Sequence, residues 1–149
     1  MSDVREFLER HLQAIFDGDV ETYKRTTDDD LGLYEWYITP HRIDGIPFHE
    51  FLMTEAARQN AAPMTGEALA AGERPGERPR VHFDLANYRE QIYGDTAICS
   101  YTLLTSTSAA GAVTVRSYNE TRVIVRLDGA WKVVHVHKSP AYKSPMMPE

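Results

Sequence analysis

Residues 114–138 read TVRSYNETRVIVRLDGAWKVVHVHK, and this stretch decides the fold. From Thr114 to Leu127 it is dense in β-branched and aromatic residues, which favour a pleated strand. Asp128-Gly129 follows, a strong hairpin signal because both residues tolerate positive φ. Trp131 to Lys138 is then the returning strand. Moving upstream, Thr96 to Ser106 is a further strand, set between turns at Gly94-Asp95 and at Ser108 to Gly111. Before it, Val81, Phe83 and Leu85 alternate, and the strand resumes from Tyr88 to Tyr93. Four strands joined by tight turns form an antiparallel meander.

The N-terminal part has a different period. Val4, Phe7, Leu8, Leu12, Ile15 and Phe16 recur at helical spacing. Ser2 or Asp3 caps this helix, and Gly18 ends it in a left-handed conformation. Asp19 caps a second helix, Val20 to about Thr26. Asp28, Asp29 and Asp30 lack the spacing of a cation-binding loop and read as a solvated turn. Leu31 to Ile38 reads as an aromatic-rich strand ended by Pro40, and residues 42–46 as a turn. Pro47 opens a third helix that runs to about Asn60. Residues 61–80, rich in glycine and proline, read as a mobile insertion, and 141–149 as a C-terminal tail. Helices first and strands last make this an α+β chain, with helices on one face of a curved antiparallel sheet. Residues 1–140 are expected to be a single domain.

The net charge of −6 in 149 residues disfavours nucleic acid and anionic membranes as partners, since both need a basic surface. One cysteine, Cys99, excludes a disulfide framework. The N-terminus lacks the apolar stretch of a signal peptide, and no apolar run approaches the ~20 residues of a membrane helix. A cytoplasmic location is expected. No nucleophile elbow, phosphate loop or nucleotide fingerprint is present, and no cofactor is expected.

Three stretches are more specific. They are Phe48-His49-Glu50-Phe51, residues 93–101 (YGDTAICSY), and Asn119-Glu120-Thr121-Arg122-Val123 with residues 126–139 (RLDGAWKVVHVHKS). Together they resemble the association domain of calcium/calmodulin-dependent protein kinase II. More broadly they resemble the nuclear transport factor 2-like superfamily of cystatin-like fold, which includes SnoaL-like cyclases and ketosteroid isomerase. The resemblance implies a cone of helices against a strongly curved sheet, an internal pocket, and homo-oligomers, dimers or larger, built through the outer sheet surface. The sequence opens directly on the domain's first helix, so no kinase or calmodulin-binding segment is expected within it. The kinase family has an arginine in the strand matching Ala97–Ser106. Leu103 stands there in this sequence, so the family's polar pocket is only partly reproduced.

Alternate residues of the 114–127 strand share a face, so Arg116, Tyr118, Glu120, Arg122, Ile124 and Arg126 lie together. Either that face is solvated, or Arg122 points into the cone, held by Glu120 or another carboxylate. There its guanidinium can bind a carboxylate through two parallel hydrogen bonds. His135 and His137, two apart, are expected on one face with Trp131, Val133 and Ser139. A metal would need a third ligand such as His49 or Glu120, and no zinc spacing is present, so no metal is expected. His49 is either a helix-surface residue or, by the resemblance, a pocket-edge one. Trp36, Tyr101 and Tyr118 supply aromatic surface of the kind that small organic ligands use.

These residues support two functions. The first is an oligomerising domain whose pocket binds a small carboxylate or similar polar organic ligand. The second is a SnoaL-like or isomerase-like enzyme acting by acid–base chemistry on a cyclic or carbonyl substrate, with Asp84 or Glu120 as candidate base by strand position.

Overall fold

The computed structural model describes residues 1–58, 80–109 and 111–141. Helix α1 (Asp3–Asp17) starts where Ser2 Oγ accepts the Arg5 amide, and stops where Gly18 adopts φ 71°. Only a residue free of Cβ crowding takes that left-handed geometry readily. Asp19 accepts the Thr22 amide and so caps α2 (Val20–Thr26). The chain then forms β1 (Thr27–Glu35), β2 (Ile43–Asp44), α3 (Pro47–Arg58), β3 (Arg80–Tyr93), β4 (Thr96–Ala109), β5 (Ala112–Leu127) and β6 (Ala130–Pro140).

The six strands form one sheet in the order β2-β1-β6-β5-β4-β3. Every neighbouring pair is antiparallel except β1 and β6. This is the expected α+β architecture of helices on a curved sheet. The apolar stripe of α1 (Phe7, Leu8 and Leu12) joins Leu33, Cys99, Ile124, Val133 and Val136 in the main core. No described helix is long and apolar enough to cross a membrane.

Several local expectations are corrected. β1 begins at Thr27, not Leu31, and absorbs the three aspartates. Its pairing with β6 is irregular between Thr27 and Gly32, so the aspartates are carried past the partner strand. Residues 43–44 are a short strand rather than part of a turn, because Gly32 and Leu33 pair with Asp44 and Ile43. β3 continues through Ala86–Arg89, where the register shifts and Asn87 takes φ 53°, instead of breaking into two strands. The insertion expected at 61–80 lies outside the described residues except for Arg80, which opens β3. The tail lies outside them except for Ala141.

One irregularity bears directly on the site. Val123 pairs with His135 but Ile124 pairs with Val133, so Val134 is an extra residue in β6. Such a bulge reverses the inward and outward alternation on its two sides. Val133 and Val136 are both buried, and Lys138 turns inward with them.

Candidate functional site: a charge-balanced cavity

Along β5, period-two alternation sends Tyr118, Glu120, Arg122 and Ile124 inward. Glu120 is 2% exposed and Arg122 3%. Buried charges of this kind require partners. Arg122 Nη1 donates to the Tyr101 hydroxyl at 2.6 Å and to Glu120 Oε1, and that hydroxyl in turn donates to Glu120 Oε1 at 2.9 Å. β4 supplies Tyr101 because it faces Glu120 across the ladder.

A second charged group completes the site. Glu35, at the end of β1, accepts from the Tyr37 hydroxyl at 2.7 Å and from Lys138 Nζ at 3.4 Å through Oε2. Its Oε1 lies against His49 Nε2 of α3. Lys138 also donates to the Tyr37 hydroxyl at 3.2 Å and sits 3.8 Å from Glu120 Oε2, so its ammonium bridges the two carboxylates.

These groups form the polar side of a cavity of about 80 Å³. One buried water needs about 10–15 Å³ by the same measure, so several waters or a small organic molecule fit. α1 contributes Leu12 and Phe16, α3 contributes Leu52 and Met53, and the sheet contributes Leu33, Leu103 and Val136 to the apolar side.

The electrostatics follow from this arrangement. Burial raises the pKa of Glu120, but the Arg122 guanidinium and then the Lys138 ammonium outweigh it and hold the carboxyl below its usual range. Burial raises that of Glu35 too, and there Lys138, with His49 and Tyr37, wins. Lys138 moves up despite its burial because Glu35, Tyr37 and Glu120 surround it. Burial, chiefly, pushes the Tyr23 hydroxyl up to about 12.

His11 lies on the same cavity and behaves differently. Burial, then the positive charges of Arg122 and Lys138, hold its pKa well down, so the ring is neutral. The Thr26 hydroxyl lies 2.7 Å from His11 Nδ1 and reaches the Thr22 and Tyr23 carbonyls at 2.9 and 3.2 Å.

Several polar atoms around the cavity have no hydrogen-bond partner among the described residues. They include Arg122 Nε, Glu120 Oε2 and His49 Nδ1. In native interiors such groups are the exception. Among the described residues no three His, Cys, Asp or Glu side chains are grouped to hold a metal ion.

Of the residues singled out in the sequence, the cavity wall brings together Arg122, Glu120, His49 and Tyr118, and Tyr101 bonds to the first two. Trp36 stands outside it, half-buried against Tyr37 and Tyr118. His135 and His137 do not share the Val133 face. The bulge turns them to the outside of the sheet, where they pack against Tyr34. Asp84 is exposed beside His82. Glu35, Lys138 and His11 belong to the site without having been foreseen. A lone carboxylate inside the aromatic run Tyr34 to Tyr37 was the available signal for Glu35.

A six-stranded curved sheet closed by N-terminal helices around a cavity defines the nuclear transport factor 2-like class. A protein of that class with a cystatin-like fold from Novosphingobium aromaticivorans superposes with a TM-score of 0.69 at 17% identity, over 96% of this chain and 82% of that one. The family model for the calcium/calmodulin dependent protein kinase II association domain matches residues 1–69 and 73–142, and the chain belongs to that family. The association domain of C. elegans calcium/calmodulin-dependent protein kinase II has a TM-score of 0.73 and 28% identity, over 92% of each chain. The delta subunit of the rabbit (Oryctolagus cuniculus) kinase is 26% identical over 148 residues, which are 98% of this chain and 25% of that protein. The chain therefore spans a quarter of the length of this curated relative.

Proposed function

We propose that the chain is an oligomerising domain whose internal cavity binds a small carboxylate or similar polar organic ligand. Membership of an association-domain family supports the first half. The observation that carries the second is Arg122, a buried guanidinium at the cavity wall with Nε unpartnered. A donor fixed in place and shielded from water contributes far more to binding than one on the surface.

Light scattering on the purified chain should give the mass of a dimer or larger assembly. Thermal unfolding with a panel of small acids and polar organics should identify compounds that raise Tm. Any ligand that prefers the native state must do so. Arg122→Gln should abolish that rise for the compounds that cause it. A strict monomer that no compound stabilises would overturn the proposal.

The enzyme reading has less support. Acid–base turnover near neutrality needs a group whose pKa lies near the working pH. Glu35 and Glu120 are both held low by the cations beside them.

A further inference from the structure

The cavity wall carries its fixed charges in pairs. Arg122 lies against Glu120, and Lys138 lies 3.4 Å from Glu35 and 3.8 Å from Glu120. Two cations therefore offset two carboxylates, and the side chains of Glu35, Glu120 and Arg122 are at most 3% exposed. A carboxylate ligand adds a third negative charge, which is costly away from water unless something compensates it. A proton taken up by the wall would do so, and few groups there can take one. The neighbouring cations keep Glu35 and Glu120 ionised, and the carboxylates keep Lys138 charged. Burial, ahead of Arg122 and Lys138, holds His11 neutral. Arginine is always charged, and phenols stay protonated near neutral pH. His49 of α3 is left, and histidine is the side chain that gains and loses a proton near neutrality.

The geometry leaves a place for that proton. His49 Nε2 lies against Glu35 Oε1. An ionised carboxylate only accepts hydrogen bonds, so Nε2 carries the hydrogen in this contact. The neutral ring then keeps its lone pair on Nδ1, a buried atom with no hydrogen-bond partner among the described residues. A proton added there gives an imidazolium with the Glu35 carboxylate already beside it. Lys138 of β6 contacts the same carboxylate, so while the cavity is empty its charge opposes a second cation at that spot. Tyr23 of α2 also faces the ring, with centroids 6.4 Å apart, and on the exposed side Lys24 of α2 pairs with Glu50 of α3 at 3.3 Å. Glu120 and Arg122 of β5 and His11 of α1 share the cavity wall with it.

We propose that a small carboxylate enters the cavity together with a proton, drawn from solvent and carried by His49, so that pH regulates the occupancy of the site. The ligand's negative charge offsets the repulsion that Lys138 exerts on the imidazolium, and the imidazolium in turn compensates the ligand. This rests on the reading of the cavity as a ligand site and adds the way in which that site is regulated.

Propionate and butyrate, both ionised above about pH 6, test it on the full chain. Calorimetric titrations at about pH 7.5 in phosphate and in Tris, buffers of very different ionisation enthalpy, give the protons taken up per ligand bound. The expected uptake is between about half a proton and one, and Kd should rise about three- to ten-fold per pH unit between about pH 7 and 8. His49→Gln keeps an N–H for Glu35 but cannot titrate, so both the uptake and the pH slope should vanish. In the unmodified chain the His49 imidazole NMR signals should move toward their imidazolium position when butyrate is added at constant pH. If the variant does not fold, those signals alone decide. Binding without uptake or pH slope overturns the inference and leaves the ligand-site reading standing. Uptake that persists in His49→Gln, or imidazole signals that do not move, also overturns it, because another group then carries the proton. Saturating concentrations at which neither acid binds at any pH overturn both.

Discussion

At the residue scale, Lys138 holds the two halves of the site together. Its ammonium reaches Glu35 Oε2 at 3.4 Å and Glu120 Oε2 at 3.8 Å. Removing one member of a buried ionic group strands the others, which costs about 3–5 kcal/mol. Lys138→Met should fall near the lower end, about 3 kcal/mol, because the lysine side chain keeps 15% of its exposure. Urea denaturation at neutral pH measures the loss. The variant should regain stability on mild acidification, as protons replace the missing ammonium. Adding Glu35→Gln should restore part of the loss. A cost within about 0.5 kcal/mol of zero would mean that water already screens the pair. Strand alternation alone puts Arg122 and Glu120 on one face, while leaving open whether that face is solvated or turned into the cone. Lys138 was not legible. Counted from Val133 by simple alternation it falls on the outer face, and nothing in Val133-Val134-His135 announces the bulge that brings it in. The same bulge carries His135 and His137 away from the position that alternation assigned them.

Elements were easier to read where local chemistry decides them. The joint between α1 and α2 is such a place: serine cap, apolar stripe, glycine stop and aspartate cap all lie within the first nineteen residues. Gly18 at φ 71° donates its N–H back to α1 carbonyls, while the following amide bonds Ala14 O at 2.9 Å. Gly18→Ala should destabilise the protein by about 1 kcal/mol, because an L side chain resists that φ. Thermal melts check it, and a neutral or stabilising result would show that the joint relaxes away from the left-handed geometry. Elements defined by partners were harder. β2 exists only because Gly32 and Leu33 lie beside Ile43 and Asp44. Its two residues carry no period of their own. β1 likewise runs back through Asp28 to Asp30, residues that disfavour strands, because Thr27 pairs with Val133 on one side of them and Gly32 with His135 on the other. Tertiary pairing overrode propensity in both cases.

At the scale of the whole molecule, the buried ionisable groups tie the fold to pH, and the sign can be worked out group by group. His11 is held neutral in the folded state, with its pKa well below the ordinary value near 6.5. Below that value the unfolded chain binds a proton that the folded chain refuses, so acid favours unfolding. Stability from this group is fully present above about pH 6.5 and is lost as pH falls, by up to about 1.4 kcal/mol per pH unit. Glu35 and Glu120 have folded values below their unfolded ones. Their contribution is complete above the unfolded carboxylate value of about 4.3 and disappears below it, which steepens the slope there. His135, held down mainly by desolvation, acts in the direction of His11 but more weakly, because solvent reaches it. The unfolding free energy should therefore be flat from about pH 8 to 7, fall gently to about pH 4.5, and collapse below it. Denaturation series at half-unit steps would trace both windows. His11→Gln should flatten the upper window and leave the lower one, since the glutamine does not titrate and the carboxylate pairs remain. If the upper slope survives in that variant, another group carries it and burial does not hold His11 neutral in the folded protein.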